Sequence, residues 1–582
     1  MNTACIVKDG RSPYHIVNSY FADECERFAS SELQKYIYQA TDVLIPYFSD
    51  ICEKRSVEII VGKDARNARD YVSEDELSNL GDEGFIIRIA DDGTTIICGN
   101  KSRGTLYGVY AFLERFLNFR CLTSKIERID HVSELIIKTD DIIEKPDFEY
   151  RDAYFRDAFD GGFASKNRLN TSIADISREK GSNMKFYSAH HTFETLFPSK
   201  IYFKDYPEYY SEIDGERMPT QPCLSNENVI KIITENIIKQ IKENPHCKVF
   251  SVAQNDNQKY CRCEKCRALD ERENSPAGSM ITFVNRVAEE VEKVAPDVLI
   301  HTFAYQFTRH APLHVRPRHN VIVRLCNIEC EFSEPFEVLA NKTKPNRASD
   351  FLKDLSDWTS IHDRVYIWDY AVNFHNYLLP FPNFYQMAEN IKLYKKMGVK
   401  GVLEQGNFSY GGGAAMDGLK AYLISKLLWD VNSDPDKVID TFLADVYGKG
   451  APYLKEYILK ITKAVKGHVM DIRTYPDSEC FSDEAIIEYD RLFNLAINSE
   501  DNEEIRERIE REYLSIEYLK TSRIEDDNER AKAVDTFANK VIKFKLTEIM
   551  ERRNLYDSFE YMKRKQYSRD RTGNYLLYYV VK

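Results

Sequence analysis

The sequence predicts an α/β protein in three parts: an N-terminal α/β sandwich over residues 1–146, a central (β/α)8 barrel of the TIM type over 147–470, and a helical C-terminal region over 471–582. Three observations predict it. Between about Phe148 and Gly448, short apolar runs alternate with helical stretches eight times, the pattern of parallel strands joined by crossover helices. Before Pro146, strands and amphipathic helices alternate on a smaller scale. After Asp471 the chain turns highly charged, with Ile505, Ile509, Tyr513 and Ile516 at helical spacing, which reads as a helical appendage packed on the barrel.

In the first part, residues 25–39 read as a helix, and the run Val57–Gly62 as a strand. Residues 85–98 form two β-rich runs around Asp91-Asp92-Gly93, a hairpin signal. The next helix carries Leu106, Val109, Tyr110, Leu113 and Phe116 on one face. In the barrel part, strands are expected at 149–155, 184–191, just before 223–226, 248–256, 298–305, 320–326, 364–370 and 399–406. Helices fall between them, for example over 228–241 and 278–294. The final run, 575–582, reads as a strand added beside the barrel or used between subunits, so a homo-oligomer is among the expected states.

The net charge of −13 argues against a nucleic-acid partner, which is held by neutralising phosphates. No run of eighteen apolar residues appears, so no membrane partner is expected. Without a visible secretory signal, and with 13 unevenly spaced cysteines, the chain reads as a reduced, cytoplasmic protein.

Most expected strands end on polar residues: Arg156-Asp157, His190-His191, Ser225-Asn226, Asn255-Asp256, Tyr305-Gln306, Asn327 with Glu329, Asp369-Tyr370 and Glu404-Gln405. A barrel interior needs only apolar layers, and active sites of such barrels lie at the C-terminal strand ends, so this repetition points to a site. Asp256 beside Asn255 suits a general acid/base or a group orienting an amide-bearing substrate; it also suits a cap on the following turn. Glu404 precedes a loop with Gly411, Gly412 and Gly413; its structural alternative is pairing with a barrel arginine such as Arg151 or Arg324. Asp369 stands among Trp368, Tyr370, Phe374 and His375, rings on which a sugar can stack or which simply fill the core. Successive residues of a strand face opposite sides, so His190 and His191 divide into one pocket residue and one structural residue. Arg156, Asn226 and Tyr305 complete the expected substrate-binding set.

Cys261, Cys263 and Cys266 have the spacing C-x-C-x2-C. A structural zinc wants four ligands, so a fourth must come from Cys223, Cys326, Cys330 or His246; three reduced thiols or a disulfide are the alternatives. A closed thiolate site leaves no open coordination position, so no metal or other cofactor is expected in catalysis.

The stretch SVAQNDNQKYCRCEKCRALDERENSPAGSMITFVNRVAEEV, with HTFAYQFTRHAPLHVRPRHNVIVRLCNIEC, VYIWDYAVNF, PFPNFYQMAENIKLYKKMGVKGVLEQG and LKAYLISKLLWD, resembles a bacterial family labelled as a domain of unknown function and associated with glycoside hydrolase family 163. GVYAFLERFLNFRCLTSKIERI is similar to the end of the N-terminal domain of α-glucuronidases and hexosaminidases. The resemblance covers roughly residues 20–460. It implies a retaining β-N-acetylglucosaminidase acting on an N-acetylhexosamine-containing glycan, with the substrate's acetamido group as nucleophile. In family 20 hexosaminidases an adjacent Asp-Glu pair after strand four serves this mechanism; here Asn255-Asp256 stands in that place, with one ionisable member. Either Asp256 is the acid and Asn255 bonds the acetamide, or Asp256 holds the acetamide and Glu404 supplies the proton. The favoured reading makes Asp256 the essential carboxylate and Glu404 its partner. The rivals are an α-glucuronidase-like hydrolase, whose uronate Arg156, Arg309 and Arg324 would clamp, and a carbohydrate-binding barrel without activity.

Overall fold

The computed structural model describes residues 2–54, 57–342, 346–413 and 415–565. The expected terminal strand over 575–582 lies outside the described residues.

The N-terminal layer is a six-stranded mixed sheet in the order Ile142–Glu144, Phe85–Ile89, Thr95–Gly99, Val57–Val61, Tyr14–Asn18 and Tyr47–Ser49. Its hairpin Phe85–Ile89 and Thr95–Gly99 turns over Asp91-Asp92-Gly93 as expected, with Gly93 at φ 86°. Helices Glu24–Thr41 and Ser102–Leu117 pack on each other and on this sheet. Asp23 caps the first, accepting the amides of Cys25 and Glu26, which satisfies two donors a helix start leaves unpaired.

The second sheet is parallel and curled, in the order Tyr150–Tyr154, Gly401–Gln405, Val365–Tyr370, Val321–Cys326, Leu299–Ala304, Val249–Ser251 and Phe186–Tyr187. Seven of the eight expected strand positions join it. The segment before Cys223 does not: Glu216–Pro222 pairs antiparallel with Tyr210–Ile213, forming a hairpin over the barrel mouth. Its turn is Asp214-Gly215, both at positive φ, 53° and 86°, a two-residue turn whose twist matches a hairpin. Asp-Gly was the signal for it, and Pro219 and Pro222 argue against a central strand.

The barrel interior shows which parity points inward. The Arg324 guanidinium lies 5.1 to 6.0 Å from the rings of Tyr150, Phe186, Tyr366 and Trp368. Tyr150 and Tyr366 stack with centroids 5.5 Å apart, over Gly401, where a Cβ would come within 2.8 Å of Tyr150 and 2.9 Å of Tyr366. On the strand Val365–Tyr370 the inward residues are therefore Tyr366, Trp368 and Tyr370; on Gly401–Gln405 they are Gly401, Leu403 and Gln405.

A buried ion network joins the layers. The Glu83 carboxylate accepts from Arg103 and Arg151 at 2.8 Å each. Burial alone would raise Glu83, but the two guanidiniums hold it down to about 2. The helices Asp483–Ser499, Glu503–Arg523 and Asp527–Lys543 pack in succession beyond the barrel, and Arg511 ties them back to Asp417 at 3.0 Å.

Candidate active site at the strand ends

A cleft of about 140 Å³ opens at the C-terminal ends of the parallel strands. One of its two carboxylates is Asp256, five residues past the strand Val249–Ser251. Tyr305, one residue past the next strand, donates its hydroxyl to Asp256 Oδ1 at 3.1 Å and accepts from Gln306 Nε2 at 2.8 Å. His191 Nδ1 donates to the Gln254 carbonyl at 2.5 Å, which fixes the tautomer and leaves Nε2 facing Asp256 Oδ1 at 3.9 Å. The hydrogen bond that Asp256 accepts from the described residues falls on Oδ1.

Aromatic rings wall the cleft. Trp368, Tyr370, Tyr154, Phe303 and Phe408 line it, and His190 packs edge-on to Trp368 at 5.5 Å. The His190 ring opens to the cleft, yet desolvation by the surrounding protein, with Arg324 nearby, pushes its pKa down to about 4. It is a neutral hydrogen-bonding group at physiological pH. Trp368 Nε1 donates to Gln405 Oε1 at 2.7 Å, holding both side chains in one orientation.

Asp256, Tyr305, His190, His191, Trp368 and Tyr370 are brought together in this cleft; the expected division of the two histidines into one pocket and one structural residue does not hold, because the strand ends at Tyr187 and Ser188 turns at φ 55°, so the pair is not on an extended chain. The other expected site residues are not brought there. Glu404 and Asp369 have the outward parity. Asp369 accepts from Asn327 at 2.8 Å and from Tyr394 at 2.5 Å, on the helix Phe384–Lys396. Glu404 lies beside it, in register on the neighbouring strand, with Lys420 of the helix Asp417–Trp429 on its other side. Both carboxylates are buried behind the sheet, and neither lines the cleft. Nor does Glu404 pair with Arg151 or Arg324.

Asn255 is spent on tying its loop to two neighbouring segments: its Oδ1 accepts from the Glu194 amide at 3.0 Å and its Nδ2 donates to the Thr220 carbonyl at 2.8 Å. Asn226 caps the helix Glu227–Glu243, accepting the amides of Asn228 and Val229. Arg156 stands in a second cleft of about 880 Å³, stacked 4.3 Å over Tyr410. That cleft is larger, and two of its acids are engaged within the protein: Asp417 with Arg511, and Asp157, through Oδ1, with the amide and hydroxyl of Ser124.

Two lining groups came from outside the expected barrel. Glu551 and Arg552 reach the cleft from the C-terminal region. Their segment docks through Glu551 N to Phe374 O at 3.1 Å and Tyr377 N to Ile549 O at 2.8 Å. Nothing local in the sequence marks them.

Behind the sheet, burial first and then Asp369 raise Glu404 well above its ordinary value. Neither of its oxygens has a hydrogen-bond partner among the described residues. Such a carboxyl favours the folded state while protonated, and that contribution is lost as pH rises above the unfolded value of about 4.3. Glu404→Gln removes the titration. The variant is expected to gain in melting temperature over the parent as pH goes from 5 to 8, with a limiting slope of about 1.4 kcal/mol per pH unit. A stability difference that stays flat across that range would count against a protonated Glu404.

A curled parallel sheet thus carries an acid-lined, aromatic cleft at its strand ends. The chain belongs to the family described as Domain of unknown function (DUF4838), which matches residues 121–459, more than half its length. Residues 10–112 match the glycosyl hydrolase family 67 N-terminus. The chain is similar in structure to a family GH115 4-O-methyl-α-glucuronidase, BtGH115A, with specificity for decorated arabinogalactans: TM-score 0.59, 11% identity, 94% of this chain and 77% of that one. It is also similar to a GH138 enzyme targeting pectin rhamnogalacturonan II: TM-score 0.53, 10% identity, 96% of this chain and 99% of that one. At these identities the likeness is one of fold. No curated protein matches the sequence. Among the described residues, no helix is long and apolar enough to cross a membrane.

Proposed function

We propose that the chain is a glycoside hydrolase, with the barrel segment 147–470 as its catalytic unit and an N-acetylhexosamine-containing glycan as its substrate, in keeping with the resemblance to glycoside hydrolase family 163. The observation that carries this reading is Asp256, held by the Tyr305 hydroxyl at the mouth of an aromatic cleft that His191 also lines. A sugar ring stacked on Trp368 would present its anomeric substituents to Asp256 Oδ2. Glu551, in place of Glu404, is the second carboxylate of the cleft. In a substrate-assisted reaction one of the pair protonates the leaving oxygen, and the other holds the acetamido group against the anomeric carbon.

Arg552 favours a second reading, a uronate substrate, because it brings a cation to the same cleft. The other basic candidates do not: Arg309 is held by Asp354 at 2.7 Å and Glu329 at 3.2 Å, Arg324 is buried beneath Trp368, and Arg156 is in the neighbouring cleft. Turnover of nitrophenyl β-N-acetylglucosaminide against nitrophenyl α-glucuronide decides between them. Hydrolysis of the glucuronide alone would sink the first reading, and Arg552→Ala should then raise KM on the uronate about tenfold or more, as loss of a charge-assisted contact does.

A further inference from the structure

The structure assigns a zinc site to Cys223, Cys261, Cys263 and Cys266, a tetrathiolate centre that clasps the hairpin Tyr210–Pro222 to the loop carrying Asp256. Of the four residues left open as the missing ligand, the fold selects Cys223, which directly follows the hairpin. The four Sγ atoms lie within 4.8 Å of one another, and all four residues are buried. The Cys223 sulfur is 3.7 Å from that of Cys263 and 3.9 Å from that of Cys266. Four sulfurs about 2.3 Å from one zinc ion stand about 3.8 Å apart, so these separations are those of a tetrahedral metal site.

The surroundings suit thiolates. The Glu212 amide donates to Cys261 Sγ at 3.4 Å, and Arg217 Nη1 donates to it at 3.8 Å, placing a positive charge beside a centre whose four thiolates outnumber the metal's charge by two. Cys263 stands at the N-cap position of the helix Glu264–Arg272, and Cys266 sits in its first turn, where the helix dipole favours negative charge. Cys326 and Cys330 stand apart from the group: Cys326 lines the strand-end cleft, and Cys330 donates to the Arg347 carbonyl at 3.8 Å.

Its place in the chain says what the clasp holds. Gln221 exchanges two hydrogen bonds with the Asn255 backbone, 2.8 and 2.9 Å, and Thr220 Oγ1 donates to the Lys259 carbonyl at 2.9 Å. The Arg262 amide donates to the Glu212 carbonyl at 2.8 Å. The hairpin and the loop are thus seamed from Asn255 to Arg262, and the cysteines close the seam. The metal is a brace, with no open position for a substrate.

The test uses the full chain, purified without chelator. Elemental analysis should find about one zinc per chain, since one ion takes all four ligands. A thiol-specific mercurial should release it in step with four thiols, and cobalt exchanged for zinc should give the absorption of a tetrahedral thiolate complex. Cys223→Ser should lower bound zinc at least tenfold, while Cys247→Ser, a buried cysteine outside the group, should leave it unchanged. If Cys223→Ser does not fold, the cobalt spectrum of the parent chain decides. A metal-free chain, a disulfide among the four found by mass spectrometry, or a cobalt spectrum without thiolate character would each overturn the assignment. None of these readouts depends on the proposed activity.

Discussion

Asp256→Asn is expected to lower kcat/KM on an aryl β-N-acetylglucosaminide by about 10³-fold, roughly 4 kcal/mol of transition-state stabilisation, the scale of a lost acid/base group. The substitution keeps the shape of the side chain and the Tyr305 bond to it, so the melting temperature should hold. Asp256 lines the cleft, and the Tyr305 hydroxyl fixes its orientation through Oδ1. Glu404→Gln is the contrasting variant. Because Glu404 faces the helices, its change should move stability with pH and leave turnover within a few-fold, in keeping with an effect relayed through packing. If Glu404→Gln abolishes turnover while Asp256→Asn spares it, the assignment of the cleft is wrong. The leaving-group dependence of the Asp256→Asn and Glu551→Gln variants then separates the two roles. The variant that has lost the acid suffers more with poor leaving groups than with nitrophenol.

Arg151→Met should cost about 3–5 kcal/mol of stability at neutral pH, the range for removing one partner of a buried ion pair. Arg151 is wholly buried and holds Glu83 of the N-terminal layer together with the carbonyls of Phe148 and Arg168. Without it, the Glu83 carboxylate keeps only Arg103 and the Asn170 amide. The sign with pH follows from the lowered Glu83 value. A depressed carboxyl adds stability above its unfolded value, about 4.3, and loses it as pH falls through about 2. The gap between parent and variant should therefore narrow below pH 4. Denaturant midpoints of both chains from pH 7 to pH 3 measure it, and a gap that is constant over that range would assign the loss to packing alone.

The architecture was readable because strand runs such as Val321–Val323 and Val365–Trp368 are apolar on both faces, as parallel strands flanked by helices must be. The same property hid the side-chain parity. With no alternation in Val365–Trp368 or Gly401–Leu403, nothing local says whether Asp369 and Glu404, or Tyr370 and Gln405, face inward; the choice is made by Arg324 and the rings around it, from other strands. Asp256 escaped this ambiguity because it stands beyond its strand, on a loop. The hairpin at Asp214-Gly215 carried a readable turn that the expectation of a third barrel strand overrode. Glu551 and Arg552 could not be found at all, since a tertiary contact alone brings them to the cleft.

That last contact has a consequence for the order in which the protein is made. The final barrel strand ends at Gln405, but the segment that brings Glu551 and Arg552 to the cleft is translated only after the run of helices from Asp417–Trp429 through Asp527–Lys543. Domains fold as they emerge from the ribosome, so a nascent chain would carry a finished barrel with an unfinished mouth. Competence for a ligand would then wait for the docking of Ile549 and Glu551 on Tyr377 and Phe374, which completes the lining of the cleft.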